Sequence, residues 1–231
     1  MANFLYHTSC EVCGSSDAKA IYDDNSTYCF SCKHSGRHHF LATRSGSFIK
    51  KRSSDIHNFT RDFSPRALDW ITKYITVEQA LRHNVMYNPE RDQVVFTWPD
   101  TDFYQARNLD PDSKVRYFTS GSHADILPIY YSNQDDGVVV LVEDCLSAIK
   151  IASYCHDAMP LLSSSISKDK LARLSQRYEF AVVWLDHDKG QDSIKIARQA
   201  NLLGLATSVV MTELDPKCYT EQELKGYLCG Q

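Results

Sequence analysis

The chain has 231 residues, 43% hydrophobic and 23% charged, with a formal net charge of −4. Those values exclude a chain that is disordered throughout, a collagen-like fibre and a coiled-coil rod. The longest apolar run, residues 137–142, is far short of the ~20 residues of a membrane helix, and polar Asn3, His7, Thr8 and Ser9 interrupt any secretory signal; a cytoplasmic protein without membrane contact is expected.

The charge is unevenly spread. Residues 33–52 carry six Lys/Arg and no acidic residue, a basic stretch that suits phosphate and that a pI near 6.1 conceals. Residues 1–40 are polar and cysteine-rich, with too little apolar mass for an ordinary core. Residues 41–58 are small, polar and basic and read as a flexible linker. Residues 59–136 form a mixed, basic subdomain. Ser64-Pro65 opens a helix over 66–73 and a second follows over 76–83. Strands are expected over 93–98 and 103–108, joined by the turn at 99–102. Residues 137–231 alternate strands (138–142, 159–162, 180–185, 206–211) with helices (145–155, 168–177, 193–203), then run into a mostly polar tail. That order predicts a buried parallel sheet with flanking helices.

Cys10-x2-Cys13 and Cys29-x2-Cys32 are fifteen residues apart, the spacing of a two-knuckle zinc site. Two strands, at 21–22 and 27–30, flank a turn at 23–26, so a zinc ribbon is expected, with one structural Zn²⁺ supplying the folding energy. His7, His34, His38 or His39 could replace a thiolate, but four Cys ligands are simpler, and a closed four-thiolate shell leaves no position for catalysis. A ribbon with exposed aromatics beside Lys33, Arg37, His38 and His39 suits single-stranded DNA; a protein-binding ribbon is the alternative. Cys145, Cys155, Cys218 and Cys229 show no paired spacing and read as ordinary thiols.

Glu143 follows the first strand of the alternating region, and Asp186 and Asp188 follow the third. In an open parallel sheet, ligands gather at the carboxyl ends of strands. Like-charged acids brought together there are costly without a cation, and hard oxygen ligands select Mg²⁺, or Mn²⁺ in its place. Asp215, after the last strand, could add a carboxylate. Asp144 reads instead as a helix N-cap. Arg107, Lys114 and Arg116 lie near Tyr117-Phe118-Thr119-Ser120-Gly121-Ser122-His123, where cations and a turn could meet nucleotide phosphates.

This order of zinc ribbon, linker, basic middle, Glu and Asp-x-Asp resembles the primase half of phage T7-type primase–helicases, over nearly the whole chain. The resemblance rests on Cys10-Glu11-Val12-Cys13-Gly14 with Tyr28-Cys29-Phe30-Ser31-Cys32, on residues 117–125, on Val142-Glu143 with Leu185-Asp186-His187-Asp188, similar to a TOPRIM domain, and on residues 215–224. It implies a zinc ribbon joined to a TOPRIM-containing RNA polymerase domain that makes short RNA primers on single-stranded DNA from ribonucleoside triphosphates. Glu143, Asp186 and Asp188 would be catalytic and hold Mg²⁺ or Mn²⁺, with Asp215 a further ligand. Arg107, Lys114 and Arg116 would grip nucleotide, and a separate helicase and a DNA polymerase would be partners. If the chain is phage-encoded, its place is the bacterial host cytoplasm. Asp144 stands where the family commonly has Gly, Ser147 stands where the T7-type enzyme has Asp, and no Gly-x4-Gly-Lys-Ser/Thr loop is present. The rival readings are a non-catalytic RecR-like recombination mediator, a TOPRIM nuclease or topoisomerase fragment, and a ribbon on an inert α/β domain.

Overall fold

The structure is a computed structural model and describes residues 3–8, 10, 12–15, 17–24, 26–37, 58–99, 101–121 and 126–229. Of the expected linker at 41–58, all but Asn58 lies outside the described residues. Two compact units are present, Met1–Lys51 and Arg52–Gln231.

The first unit is an antiparallel sheet in the order β1 (Phe4–Thr8), β2 (Lys19–Tyr22), β3 (Ser26–Cys29) and β4 (Ser35–Arg37). The hairpin β2–β3 is the one expected from the sequence; β1 and β4 extend it on both sides. Among the described residues its buried apolar content is small: Ala20, Ile21, Cys10 and Cys29. A core of that size cannot hold a sheet unaided.

The second unit opens with α1 (Pro65–Thr72) and α2 (Val77–Arg82). Ser64 caps α1, its side chain accepting from the Ala67 N–H with Pro65 in the first turn, and Thr76 and Gln79 form a capping box on α2. Strands β5 (Val85–Asn88), β6 (Gln93–Thr97), β7 (Tyr104–Asn108) and β8 (Tyr117–Ser120) follow as an antiparallel meander. β5 and β8 add to the two strands predicted. Residues 117–120, read as the start of a phosphate-binding turn, are thus an exposed edge strand, and Ser122 and His123 lie outside the described residues.

The rest alternates β9 (Val138–Val142), α3 (Cys145–Tyr154), β10 (Asp157–Pro160), α4 (Lys168–Ser175), β11 (Phe180–Val183), α5 (Gly190–Leu202) and β12 (Ala206–Val209). The sheet order is β10-β9-β11-β12, and every pairing is parallel. The polar tail carries a further helix, α6 (Glu221–Leu228), started by a capping box between Thr220 and Glu223. Side chains alternate between the two sheet faces. Val139, Leu141, Ala181 and Val183 meet Leu171 and Leu174 of α4 and Ile196 and Ala200 of α5. Val140, Val142, Val182 and Trp184 meet α3 and Leu224 of α6.

The core around α3 also takes in Ala67 and Ile71 of α1, Ala80 of α2, Val85 of β5 and Val94 and Phe96 of β6. A single apolar cluster therefore joins the antiparallel meander to the parallel sheet. Ile149, fully buried on α3, sits within it. Ile149→Ala should cost about 2–5 kcal/mol, with the whole second unit unfolding in one transition; urea denaturation followed by circular dichroism measures both.

Candidate functional site

Two chemically distinct sites emerge. In the first unit, Cys10, Cys13, Cys29 and Cys32 bring their sulfurs within 4.8 Å of one another, and among the described residues no other group of three or more potential ligands is as tight. Cys10 and Cys32 approach to 3.8 Å and Cys13 and Cys29 to 3.7 Å. The two knuckles are near copies. Gly14 N–H donates to the Cys10 carbonyl and Lys33 N–H to the Cys29 carbonyl, while Cys10 and Cys29 N–H donate to the carbonyls of Ser15 and His34.

Backbone N–H groups of Ser15 and His34 are the largest single influences on the Cys13 and Cys32 thiols, and both favour the thiolate. Cys13 is held down at about 6. Cys32 is pushed up to about 12 despite its N–H donor, because desolvation and three neighbouring thiols oppose a second negative charge. Four sulfurs this close need a cation, so the donor set fits a structural zinc ion.

Each knuckle requires a left-handed residue after its second cysteine. Gly14 supplies it at φ +70° without strain, whereas Lys33 adopts φ +60° with a Cβ in the way. Lys33→Gly should therefore raise zinc affinity several-fold, equivalent to about 1 kcal/mol, and Gly14→Ala should lower it; competition against a chromogenic chelator reads both.

The second site lies at the carboxyl end of the parallel sheet. β9 and β11 are adjacent, with Val183 paired to Leu141, so Glu143, Asp186 and Asp188 leave neighbouring strands at the same end. Asp186 precedes a 3₁₀ turn, His187–Lys189. Asp215 precedes another, Pro216–Cys218. Burial raises the Glu143 pKa, with Lys189 opposing and Asp188, Asp144 and Asp215 reinforcing. Burial also lifts Asp186, to about 7, helped by the Asp215 and Glu143 carboxylates against Lys217. Asp188 is exposed and held low by Lys189, whose ammonium lies 2.8 Å away.

Oε2 of Glu143 and Oδ1 of Asp186 are buried and have no hydrogen-bond partner among the described residues. Such oxygens are acceptors only and carry a desolvation cost until something positive reaches them. The chemistry of this donor set fits a hard divalent cation.

Asp144 behaves as the sequence indicates: its side chain accepts from the N–H groups of Leu146 and Ser147 at the start of α3. Ser147, fully buried, donates its hydroxyl to Asp144 Oδ2 at 2.7 Å. Lys217, not anticipated, bridges Asp144 at 3.0 Å and Asp215 at 2.8 Å.

Of the three expected nucleotide-gripping residues, Arg107 and Arg116 line one cavity of about 380 Å³, and Lys114 is not among its lining residues. Arg66 and Trp70 of α1 and its C-cap Lys73 line the same cavity. Their spacing of four and three places them on one helix face, a signal present in the sequence but unread. Arg107 lies over the rings of Tyr117 at 4.9 Å and Trp70 at 5.8 Å, and its buried Nε has no acceptor among the described residues.

The geometry has counterparts among known proteins. No family model matches the chain. A DNA helicase/primase of Enterobacteria phage T3 is 26% identical over 97% of the chain. The primase fragment of the bacteriophage T7 primase-helicase aligns with a TM-score of 0.50 at 17% identity, covering 97% of this chain and 96% of that one. The chain has the fold of a T7-type primase fragment. The Aquifex aeolicus primase, comprising zinc-binding and RNA polymerase domains, gives a TM-score of 0.63 at 13% identity over 99% of this chain and 80% of its own. The primase fold thus accounts for the cysteine-clustered ribbon and the helix-flanked parallel sheet together. The chain spans under half, 43%, of the T3 relative. Among the described residues, no helix is long and apolar enough to cross a membrane.

The raised Asp186 pKa has a sign that can be checked on this primase fold. The folded state binds a proton that the unfolded state releases near pH 3.8, so this group's contribution to stability is lost as pH rises from about 4 through 7. Asp186→Asn removes that dependence. Without divalent ions at pH 8, the variant should melt about 2–4 °C above wild type by scanning calorimetry, the full linkage being reduced because the carboxyl keeps some water.

Proposed function

We propose that the chain is a DNA primase that makes short RNA primers on single-stranded DNA by metal-dependent nucleotidyl transfer. The observation that carries this reading is the pair of buried, unpartnered carboxylate oxygens on Glu143 and Asp186, set at the strand ends of a fold shared with primases along almost the whole chain.

Glu143, Asp186 and Asp188 would hold Mg²⁺ or Mn²⁺, with Asp215 the fourth candidate. The bound ion would supply charge neutralisation at the reacting phosphate and orient the attacking hydroxyl. The chain's own residues would do the rest. Arg107 and Arg116 present guanidinium groups to the triphosphate, and the planar fork of Arg suits phosphate oxygens. Lys114, exposed in the loop before β8, would add charge outside the cavity. The rings of Trp70 and Tyr117 both lie against the Arg107 guanidinium, so it meets nucleotide already oriented.

The ribbon, holding one structural Zn²⁺, would read the template. Phe4 and Phe30 are more than half exposed, and the rings of Phe4 and His7, and of Tyr28 and Phe30, meet edge to face at 4.9 and 5.1 Å. Exposed rings of this kind can stack unpaired bases. A replicative helicase and a DNA polymerase would be the partners, in the cytoplasm of a bacterial host. The 1–40, 41–58, 59–136 and 137–231 division then corresponds to template reading, tether, nucleotide grip and chemistry.

The test is primer synthesis on mixed-sequence single-stranded DNA with four ribonucleotides and Mg²⁺ or Mn²⁺, resolved on a sequencing gel. Short labelled oligoribonucleotides should appear with wild type and disappear with Glu143→Gln and Asp186→Asn. Arg107→Ala should raise the KM for nucleotide about tenfold, the loss of a charged hydrogen bond.

A further inference from the structure

Five carboxylates share the carboxyl end of the parallel sheet: Glu143, Asp144, Asp186, Asp188 and Asp215. Two lysines, Lys189 and Lys217, sit among them, leaving a formal charge of −3. The lysines are not equivalent. Lys189 is a third exposed and pairs with an exposed Asp188. The Lys217 side chain is only 17% exposed and contacts two carboxylates at once.

Three further contacts fix Lys217 in place. Its backbone carbonyl accepts from Lys150 Nζ on α3 at 2.7 Å. Its ammonium lies 5.8 Å from the centre of the Tyr74 ring. The preceding Pro216 is buried and starts the 3₁₀ turn. Asp144, its partner, is itself committed to the α3 N-terminus and to the Ser147 hydroxyl. An ammonium held by this many contacts is not a solvated side chain drifting over an acidic patch.

By their partners, although not by distance, the carboxylates therefore divide into two halves. On one half Glu143 and Asp186 carry buried oxygens without a partner. On the other, Asp144 and Asp215 already share the Lys217 ammonium, which leaves that pair with a formal charge of −1. We infer that Lys217 is a built-in counter-cation that takes the place of a metal ion on the Asp144–Asp215 half, so that the resting enzyme binds a single divalent cation, on Glu143 and Asp186 with Asp188 beside them, and Asp215 is not a ligand. Lys217 is then a positioning residue: it holds Asp215 and Asp144 while the divalent cation occupies the other half. One divalent ion brings the formal charge from −3 to −1. A second would make the empty site cationic, and any further ion would arrive with the nucleotide, since Mg²⁺ commonly binds by one or two carboxylates plus substrate phosphates.

The inference rests on the metal-site reading above, and ion counting tests it apart from catalysis. Zinc-loaded full-length chain is titrated with Mn²⁺, without nucleotide or DNA, and free Mn²⁺ is followed by electron paramagnetic resonance. Wild type should bind one ion. Asp215→Asn should bind one with affinity within about twofold of wild type, and Asp186→Asn should lose at least about tenfold, or 1.4 kcal/mol. Lys217→Met should gain a second ion, and adding Asp215→Asn to it should remove that gain. Two ions on wild type, or loss of binding in Asp215→Asn, would overturn the inference, and neither measurement depends on how Lys217→Met folds. No ion on wild type would overturn it together with the metal-site reading. One ion with no primer synthesis would leave the inference standing while the primase reading failed.

Discussion

Helix α3 has almost no face turned to solvent. Cys145, Leu146, Ser147, Ala148, Ile149, Ile151 and Ala152 are all buried, and a helix apolar on most sides must be enclosed on most sides. The parallel sheet covers one flank, and α1, α2 and the antiparallel meander contribute to the same core. The start of this helix adjoins the carboxylate site. Glu143 and Asp144 sit at its N-terminal end, and Lys150 on its body reaches the carbonyl of Lys217. Displacing α3 would move the acidic site and its lysine together.

Electrostatics runs against this packing. Hydrophobic burial draws the strand ends together and thereby crowds carboxylates into partial desolvation, which each of them resists. The chain answers with two different devices: Asp144 becomes a helix cap and an ion-pair partner, and Glu143 and Asp186 are left with oxygens that no protein group satisfies. The first device serves stability. The second sacrifices it, a common mark of a site selected for binding.

Much of this was legible in the sequence, for identifiable reasons. The four-cysteine spacing and the apolar strands at 138–142 and 180–185 are short-range signals with few competing interpretations, and the structure contains both features, the second strand ending at Val183. Strand β5 was missed because Val85–Asn88 lacks a clean alternation and follows α2 without a loop. Helix α6 was missed because the tail is polar on average, although Thr220 and Glu223 carry the capping-box signature. The cavity lined by Arg66, Lys73, Arg107 and Arg116 was only half seen, since it joins a helix face to a strand thirty-odd residues away. Lys217 was least legible. Its role depends on Asp144, seventy-three residues earlier, and no local pattern announces a contact at that separation.

The placement of the indoles has an optical consequence. All three tryptophans, Trp70, Trp98 and Trp184, lie in the second unit, so tryptophan emission arises from that unit alone. Trp184 is fully buried, donates its Nε1–H to Thr212 Oγ1 at 2.8 Å, and has the rings of Tyr219 and Tyr227 at 5.7 and 5.1 Å. Those phenols can pass excitation energy to the indole, and Asp186 is two residues further along the same strand end. A charge arriving at Asp186 changes the field across that indole, so the protein carries its own emission probe for what enters the carboxylate site, with no label attached.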